Sequence, residues 1–304
     1  MTHQQHIPAS IELKTMILLI GVILTLSLFF ISCQKEVKVD IPEVEKHIII
    51  QAEISPDEYP FVIVTRSSGY FEAVDTNTLV NMIVFNAKVS ISDGSFTEVL
   101  SMSFDNSRLP PFLYKAKMLK GKLGGTYSLK VEVDGKTYTS VVTIPAPIKL
   151  DSLFFKVNKE PGDSLGLIHA HLSDPPGMGN YYRWFAKRIK KDSVFFAPTR
   201  SVFDDRLVDG KGISFDFIRG RNPNSNEPED TSRERRFFKK GDRIIVKFCT
   251  MPKEVFEFYK SYEMQITSNG NPFAAPSSIK SNIQGGAIGV WAAYGAYLDT
   301  ILAK

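Results

Sequence analysis

His169 and His171 stand two positions apart in the run LGLIHAHLS, a spacing that on a strand turns both imidazoles to one face, where they could give a metal two ligands. A zinc-type site needs a third protein ligand and none stands nearby in the sequence, so surface or packed histidines are the competing reading. The stretch 203–210, Phe-Asp-Asp-Arg-Leu-Val-Asp-Gly, gathers carboxylates of the kind a hard cation such as calcium demands. It lacks the alternating ligand spacing and terminal glutamate of an EF-hand, and capping of a loop by aspartate side chains accounts for it equally. The basic run 233–240, Arg-Glu-Arg-Arg-Phe-Phe-Lys-Lys, could meet a phosphate or an acidic patch, or simply edge a solvated loop. Cys249 sits between Phe248 and Thr250 in an apolar run and reads as a small buried hydrophobe, with nothing beside it to activate a thiolate. The chain contains no Gly-x-x-x-x-Gly-Lys-Ser/Thr phosphate loop and no His-Glu-x-x-His. A pair of carboxylates for glycoside cleavage is not readable from sequence, because the fold sets their separation.

The other cysteine, Cys33, has a clearer context. Lys14 precedes an uncharged, mostly apolar run over 17–32 that ends in Phe30-Ile31-Ser32 just before Cys33. A basic lead, an apolar core shorter than the roughly 20 residues a spanning helix prefers, and a small residue at the cut describe a cleaved secretory signal. The four residues Phe30-Ile31-Ser32-Cys33 resemble a bacterial lipobox, which implies acylation of Cys33 and attachment to a lipid bilayer. Two or more acyl chains hold a protein on a membrane essentially for good, whereas one does not. Residues 1–32 are thus expected to be a signal peptide, with Met16 as an alternative start to Met1, and residues 33–46 a lipidated tether. Its opening Gln34-Lys35-Glu36 resembles the short charged export signal of Bacteroidota surface lipoproteins, interrupted here by Val37.

Glu12 and Lys14 cancel within the discarded piece, so the mature chain keeps the net charge of +4. Such a mixed, mildly basic balance lacks the clustered cations of a nucleic-acid binder. With Cys33 acylated only Cys249 remains, so no internal disulfide can form, and burial of a chain that is 43% apolar must hold the fold together.

The elements that must position these residues are mostly strands. HIIIQAEI, FVIVTRS, FNAKVSIS, FTEVLSMSF, TYSLKVEV and KTYTSVVTI are β-branched or aromatic runs separated by turn residues. Asp93-Gly94 and Asp134-Gly135 are predicted to form type I′ hairpin turns, whose positive φ angles Asp-Gly accepts. Tyr127, Leu129, Val131 and Val133 should share a face with Tyr138, Val142 and Ile144. The reading is an immunoglobulin-like or transthyretin-like β-sandwich over 47–147, closed by Pro145-Ala146-Pro147. A second β domain is expected over 148–304, with DSLFFKV, LGLIHAHLS, NYYRWFAKRIK, KGISFDFI and DRIIVKFCT as strands and 222–233 as loop. After Pro252 the spacing of Val255, Phe258, Tyr259, Tyr262 and Ile266 predicts a helix over 253–266 with that stripe on the sheet. The fold class is mostly β: two sandwich-like domains behind a cleaved lipoprotein signal.

The tail carries a wider resemblance. It holds Asn271-Pro272-Phe273-Ala274-Ala275-Pro276, Ser281-Asn282-Ile283-Gln284-Gly285-Gly286 and Gly289-Val290-Trp291-Ala292-Ala293-Tyr294-Gly295. With the lipobox, KHIIIQAEI, NAKVSISDG, GTYSLKVEVDGKTYTS and Asn180-Tyr181-Tyr182-Arg183, in that order along the chain, the sequence is similar to the domain-of-unknown-function 4249 family of Bacteroidota lipoproteins. That resemblance implies a two-part β lipoprotein of the outer membrane, often encoded beside a TonB-dependent receptor, with no catalytic residue to transfer. The expectation is a non-enzymatic surface lipoprotein that assists such a transporter, without a cofactor; a surface hydrolase and a structural or adhesion module are the alternatives. The glycines and prolines of the tail read as backbone devices that let it fold back onto the sheet rather than as a ligand loop.

Overall fold

The computed structural model describes residues 16, 18–21, 46–68, 76–158, 164–220, 236–268 and 278–304. Residues 1–44 form a body of their own, of which Met16 and Leu18–Gly21 are described and helical. Among the described residues no helix is long and apolar enough to cross a membrane. Cys33, the tether up to Glu45, the loop over 222–233 and Asn271–Pro276 lie outside the described residues. The second body, Glu45–Lys304, carries all the strands among the described residues.

This body begins with β1 (Ile48–Ile54) and β2 (Phe61–Arg66), an antiparallel pair, and a short helix α1 (Thr76–Asn81). Then come β3 (Lys88–Ser92), β4 (Thr97–Val99), β5 (Ser101–Phe104), β6 (Phe112–Lys115), β7 (Thr126–Val133) and β8 (Lys136–Thr143). The run FTEVLSMSF is two strands rather than one. Leu100, buried at the corner, lets β4 pair with β3 in one sheet and β5 with β6 in the facing one, so a single apolar stretch serves both layers.

In the hairpin of β7 and β8, Asp134 and Gly135 take φ of 52° and 71°, the expected two-residue turn. Residues 93–96 turn differently. Gly94 has φ of 89°, but Asp93 keeps negative φ and instead accepts the amides of Ser95 (3.0 Å) and Phe96 (2.8 Å) on its carboxylate, making a longer loop. The hairpin face anticipated from alternation is buried in full, joined by Ile91 of β3 in the same sheet and by Ile50, Ile54 and Val64 of the facing one.

The second half supplies β9 (Ser152–Val157), β10 (Leu165–Ser173), β11 (Tyr181–Arg188), β12 (Val202–Asp204), β13 (Gly212–Phe217), β14 (Phe238–Lys239) and β15 (Arg243–Thr250). Helix α2 (Lys253–Ser268) follows, then β16 (Ile288–Ala293) and β17 (Gly295–Leu302). The sheets run β16-β1-β2-β6-β5, β4-β3-β7-β8, β12-β11-β15-β17, and β13-β10-β14 with β9 on the other side of β10. The tail therefore contributes two strands. β16 lies parallel to β1, and after Tyr294 the chain crosses into another sheet as β17, antiparallel to β15.

Three main apolar layers result. One fills the front sandwich and includes Trp291 of β16. A second, rich in aromatic rings, lies between the β11 and β10 sheets and includes Tyr182, Trp184, Phe217 and Phe248. The third joins them: Val290, Ala292 and Tyr294 on the outer face of β16 meet Phe185, Cys249 and helix α2. Helix α2 runs two residues past the expected end, and its buried positions are Val255, Phe256, Tyr259 and Ser261. Tyr262 and Ile266 of the anticipated stripe are exposed, because the sheet meets only the first half of the helix.

Candidate functional site

The two histidines share a face of β10, as their spacing required, but each has a partner of its own. His169 Nδ1 contacts the Asp216 carboxylate and its ring stacks on Phe154, while His171 Nδ1 lies 3.1 Å from Ser214 Oγ and Nε2 3.9 Å from Asp151. Those contacts are the ones that strands β9 and β13 place on either side, and they assign the imidazoles to the outer surface of a sheet.

The acidic stretch does converge, together with a residue the sequence did not associate with it. One carboxylate oxygen from each of Asp174, Asp205 and Asp209 lies within 4.8 Å of the others, the group among the described residues whose donors could hold a hard cation. Each carboxylate already accepts protein hydrogen bonds. Asp205 takes the amides of Gly179 (2.9 Å) and Asn180 (2.8 Å), Asp209 that of Gly177 (2.7 Å), and Asp174 that of Gly210 (3.1 Å) and the Tyr182 hydroxyl. The geometry is a brace between two loops, the capping role weighed for these aspartates. Burial and then the Asp174 hydrogen bond push the Tyr182 hydroxyl far above its ordinary value, so it stays protonated and donates.

Cys249 is fully buried, and burial raises its thiol to about 12, so it remains neutral and unreactive. Of the basic run, Arg236 to Lys240 are described and lead into β14; residues 233–235 lie outside the described residues.

Sequence reasoning missed two inward-pointing cations, one half-buried and one buried. Arg183 on β11 and Lys247 on β15 point into the layer beneath α2 and β16. The Arg183 guanidinium stacks on Tyr259, donates from Nε to Ser201 Oγ (3.2 Å) and from a terminal nitrogen to the Tyr294 hydroxyl (2.7 Å). Lys247, 4% exposed, reaches Ser55 Oγ (3.2 Å), Glu53 (3.5 Å) and Glu58 (3.7 Å). Burial lowers the ammonium and the two glutamates more than restore it, so it holds its proton more tightly than a free lysine. The signal was available: in YYRWF and IIVKFC one cation interrupts a run of residues that are apolar on both faces.

A concavity lies along the outer face of α2. Two hollows of about 520 and 560 Å³ share Asp204, Arg206, Phe256, Lys260 and Met264 in their walls. Phe256 and Met264 give an apolar floor, and Leu207, 89% exposed, lines the second hollow. Arg200, Arg206, Lys253, Lys260 and Lys280 face Asp204, Glu257 and Glu263, five cations against three carboxylates. Asp204 pairs with Arg206 (2.8 Å) and Lys260 (3.9 Å), and Glu257 with Lys280 (3.5 Å). Glu263 accepts the Ser201 amide at 3.1 Å, and burial raises its carboxyl. Arg200 and Lys253 have no ion pair among the described residues.

The tail motifs act on the backbone. Asn282 hydrogen-bonds both the carbonyl (2.9 Å) and the amide (2.8 Å) of Trp291, as a neighbouring strand would. Ser281 Oγ contacts Ala287 and Gly289 backbone atoms at 3.0 to 3.1 Å, and Gln284 exchanges backbone hydrogen bonds with Thr139 of β8. Gly289 lies so near β1 that a Cβ there would stand 1.8 Å from the Ile50 carbonyl oxygen. The family described as domain of unknown function (DUF4249) matches residues 34–297. The chain belongs to that family. The match takes in Ser281, Asn282, Gln284 and Gly289, the residues that stitch the described tail of this DUF4249 protein to its sheets. No curated protein matches the chain.

Proposed function

We propose that this DUF4249 protein is a non-enzymatic lipoprotein, anchored to the outer membrane through acylated Cys33 and facing the cell surface, where it assists a TonB-dependent transporter by binding. The observation that carries the reading is the placement of Cys33 directly after the uncharged run 17–32 and before a polar tether. A lipid anchor confines the folded part to two dimensions beside its partner and so raises its effective concentration without any new contact. The structure lends support in a second way: the nucleophile and acid–base candidates have structural tasks. The Cys249 thiol is neutral, the aspartates brace loops, and the histidines sit against their own sheet partners.

The test is metabolic labelling with tritiated palmitate, followed by solubilisation in mild detergent. Label should enter the wild-type chain and not Cys33→Ser, and the native protein should leave the membrane with a receptor attached. An unlabelled wild-type chain removes the anchor, and a labelled chain that emerges alone removes the accessory role.

A further inference from the structure

The hollows along α2 combine length, an apolar floor and an excess of one charge. The helical residues in their walls run from Lys253 to Thr267. At 1.5 Å per residue that is a trough about 21 Å long. An extended chain advancing about 3.3 Å per residue spans it in roughly six residues. A compact small molecule leaves most of such an open trough in water, whereas an extended segment fills it.

The charges decide what kind of segment. The three carboxylates have partners within the protein, two of them cations of the trough and the third the Ser201 amide. Arg200 and Lys253 are left to face solvent, one in each hollow. The field in the trough is therefore positive, and a like-charged ligand is repelled while an acidic one is drawn in. Phe256 and Met264 between the cations favour apolar side chains at intervals along the ligand, Met264 by its adaptable thioether.

We propose that the trough along α2 binds an extended acidic segment of a partner protein, about six residues long, with apolar side chains interspersed among its carboxylates. The inference deepens the binding role above and rests on it, while its test uses neither the lipid nor the receptor.

The probe is a fluorescein-labelled hexapeptide alternating glutamate and leucine, followed by fluorescence anisotropy with the full-length protein in neutral detergent. A hexapeptide alternating lysine and leucine is the control. The glutamate peptide should bind saturably, more weakly as salt rises, and at least tenfold more tightly than the lysine peptide. The double variant Arg200→Glu/Lys253→Glu breaks no ion pair among the described residues and should reverse the preference. Met264→Asp should weaken binding of the glutamate peptide at least fivefold, with thermal melts confirming that the variants stay folded.

Equal binding of the two peptides, absence of saturable binding, or an unchanged preference in the double variant each overturns the proposal. So does displacement of the peptide by monomeric lysophosphatidylglycerol, which makes the trough a lipid headgroup site. If the peptide fails while a receptor still co-purifies, only the trough assignment falls; if no receptor co-purifies, the accessory reading falls.

Discussion

The guanidinium carbon of Arg183 lies 3.5 Å from the centroid of the Tyr259 ring, so strand β11 and helix α2 meet through a cation on an aromatic face. Burial alone would lower the guanidinium pKa, but Tyr294 and Tyr259 more than offset it, and the charge persists. Arg183 thus adds a polar clamp to the apolar layer that seats the trough's helix on the sheet, stacking on Tyr259 while it hydrogen-bonds Ser201 and Tyr294.

Removing it should loosen the helix before the rest. Arg183→Ala is expected to cost about 2 to 4 kcal/mol, from the stacked cation and its hydrogen bonds together. Urea unfolding should show the loss, and amide exchange in α2 should quicken more than in β7. Arg183→Lys should recover little, because an ammonium has no planar fork to reach Ser201 and Tyr294 together. Wild-type stability and unchanged exchange in Arg183→Ala would make the stack incidental.

Lys247 ties β15 to Glu53 in β1 and to Glu58 beyond it. Lys247→Ala leaves a cavity and glutamates without their cation, and should cost about 3 kcal/mol. Lys247→Met, which keeps the volume, should cost less. Its pKa is raised above the ordinary 10.5, so its contribution is complete below that pH and declines as pH rises through the folded value. Chemical denaturation across an alkaline series should show this decline only above the ordinary 10.5 in the wild type, and its absence in Lys247→Met.

Glu98 is buried to 8% exposure and accepts the amides of Lys117 (2.6 Å), Met118 (3.1 Å) and Leu119 (2.7 Å). Burial raises the carboxyl, but the three amides together outweigh it and hold the pKa below the ordinary 4.5. Its stabilisation is therefore present above pH 4.5 and lost as pH falls through the folded value. Glu98→Gln should destabilise by about 1.5 to 3 kcal/mol at neutral pH and flatten the acid side of the stability profile. An identical acid limb in wild type and variant, measured by urea midpoints from about pH 3 to 7, would refute the role.

Gly289 is where the tail meets β1. Gly289→Ala forces a methyl group onto the Ile50 carbonyl and should cost about 3 kcal/mol, with a red shift of tryptophan emission as Trp291 gains water. Gly286→Ala meets nothing within 4 Å and pays only for its positive φ, about 1 kcal/mol. Similar losses in the two variants would contradict the close-approach argument.

Alternation made the front sandwich legible: Tyr127 to Val133 and Tyr138 to Ile144 bury as one face because side chains on a strand point to opposite sides in turn. The helix after Pro252 was legible for the same kind of reason. Its buried side was less so, since Phe258, Tyr262 and Ile266 lie on a plausible stripe, and only the position of β16 shows that the sheet ends before Tyr262. The corner at Leu100 escaped as well, because an apolar run carries no mark of where one sheet hands it to the next.

The amino-acid order by itself determined the strand content, the Asp134-Gly135 turn, the helix that follows Pro252 and the family, since each rests on neighbours within a few residues or on motifs in series. Only the tertiary structure decided that β16 pairs with β1, that Arg183 finds Tyr259, and that Asp174 joins Asp205 and Asp209. Those partners lie 31 or more positions apart, and nothing local in the chain encodes a contact that depends on the simultaneous packing of three layers.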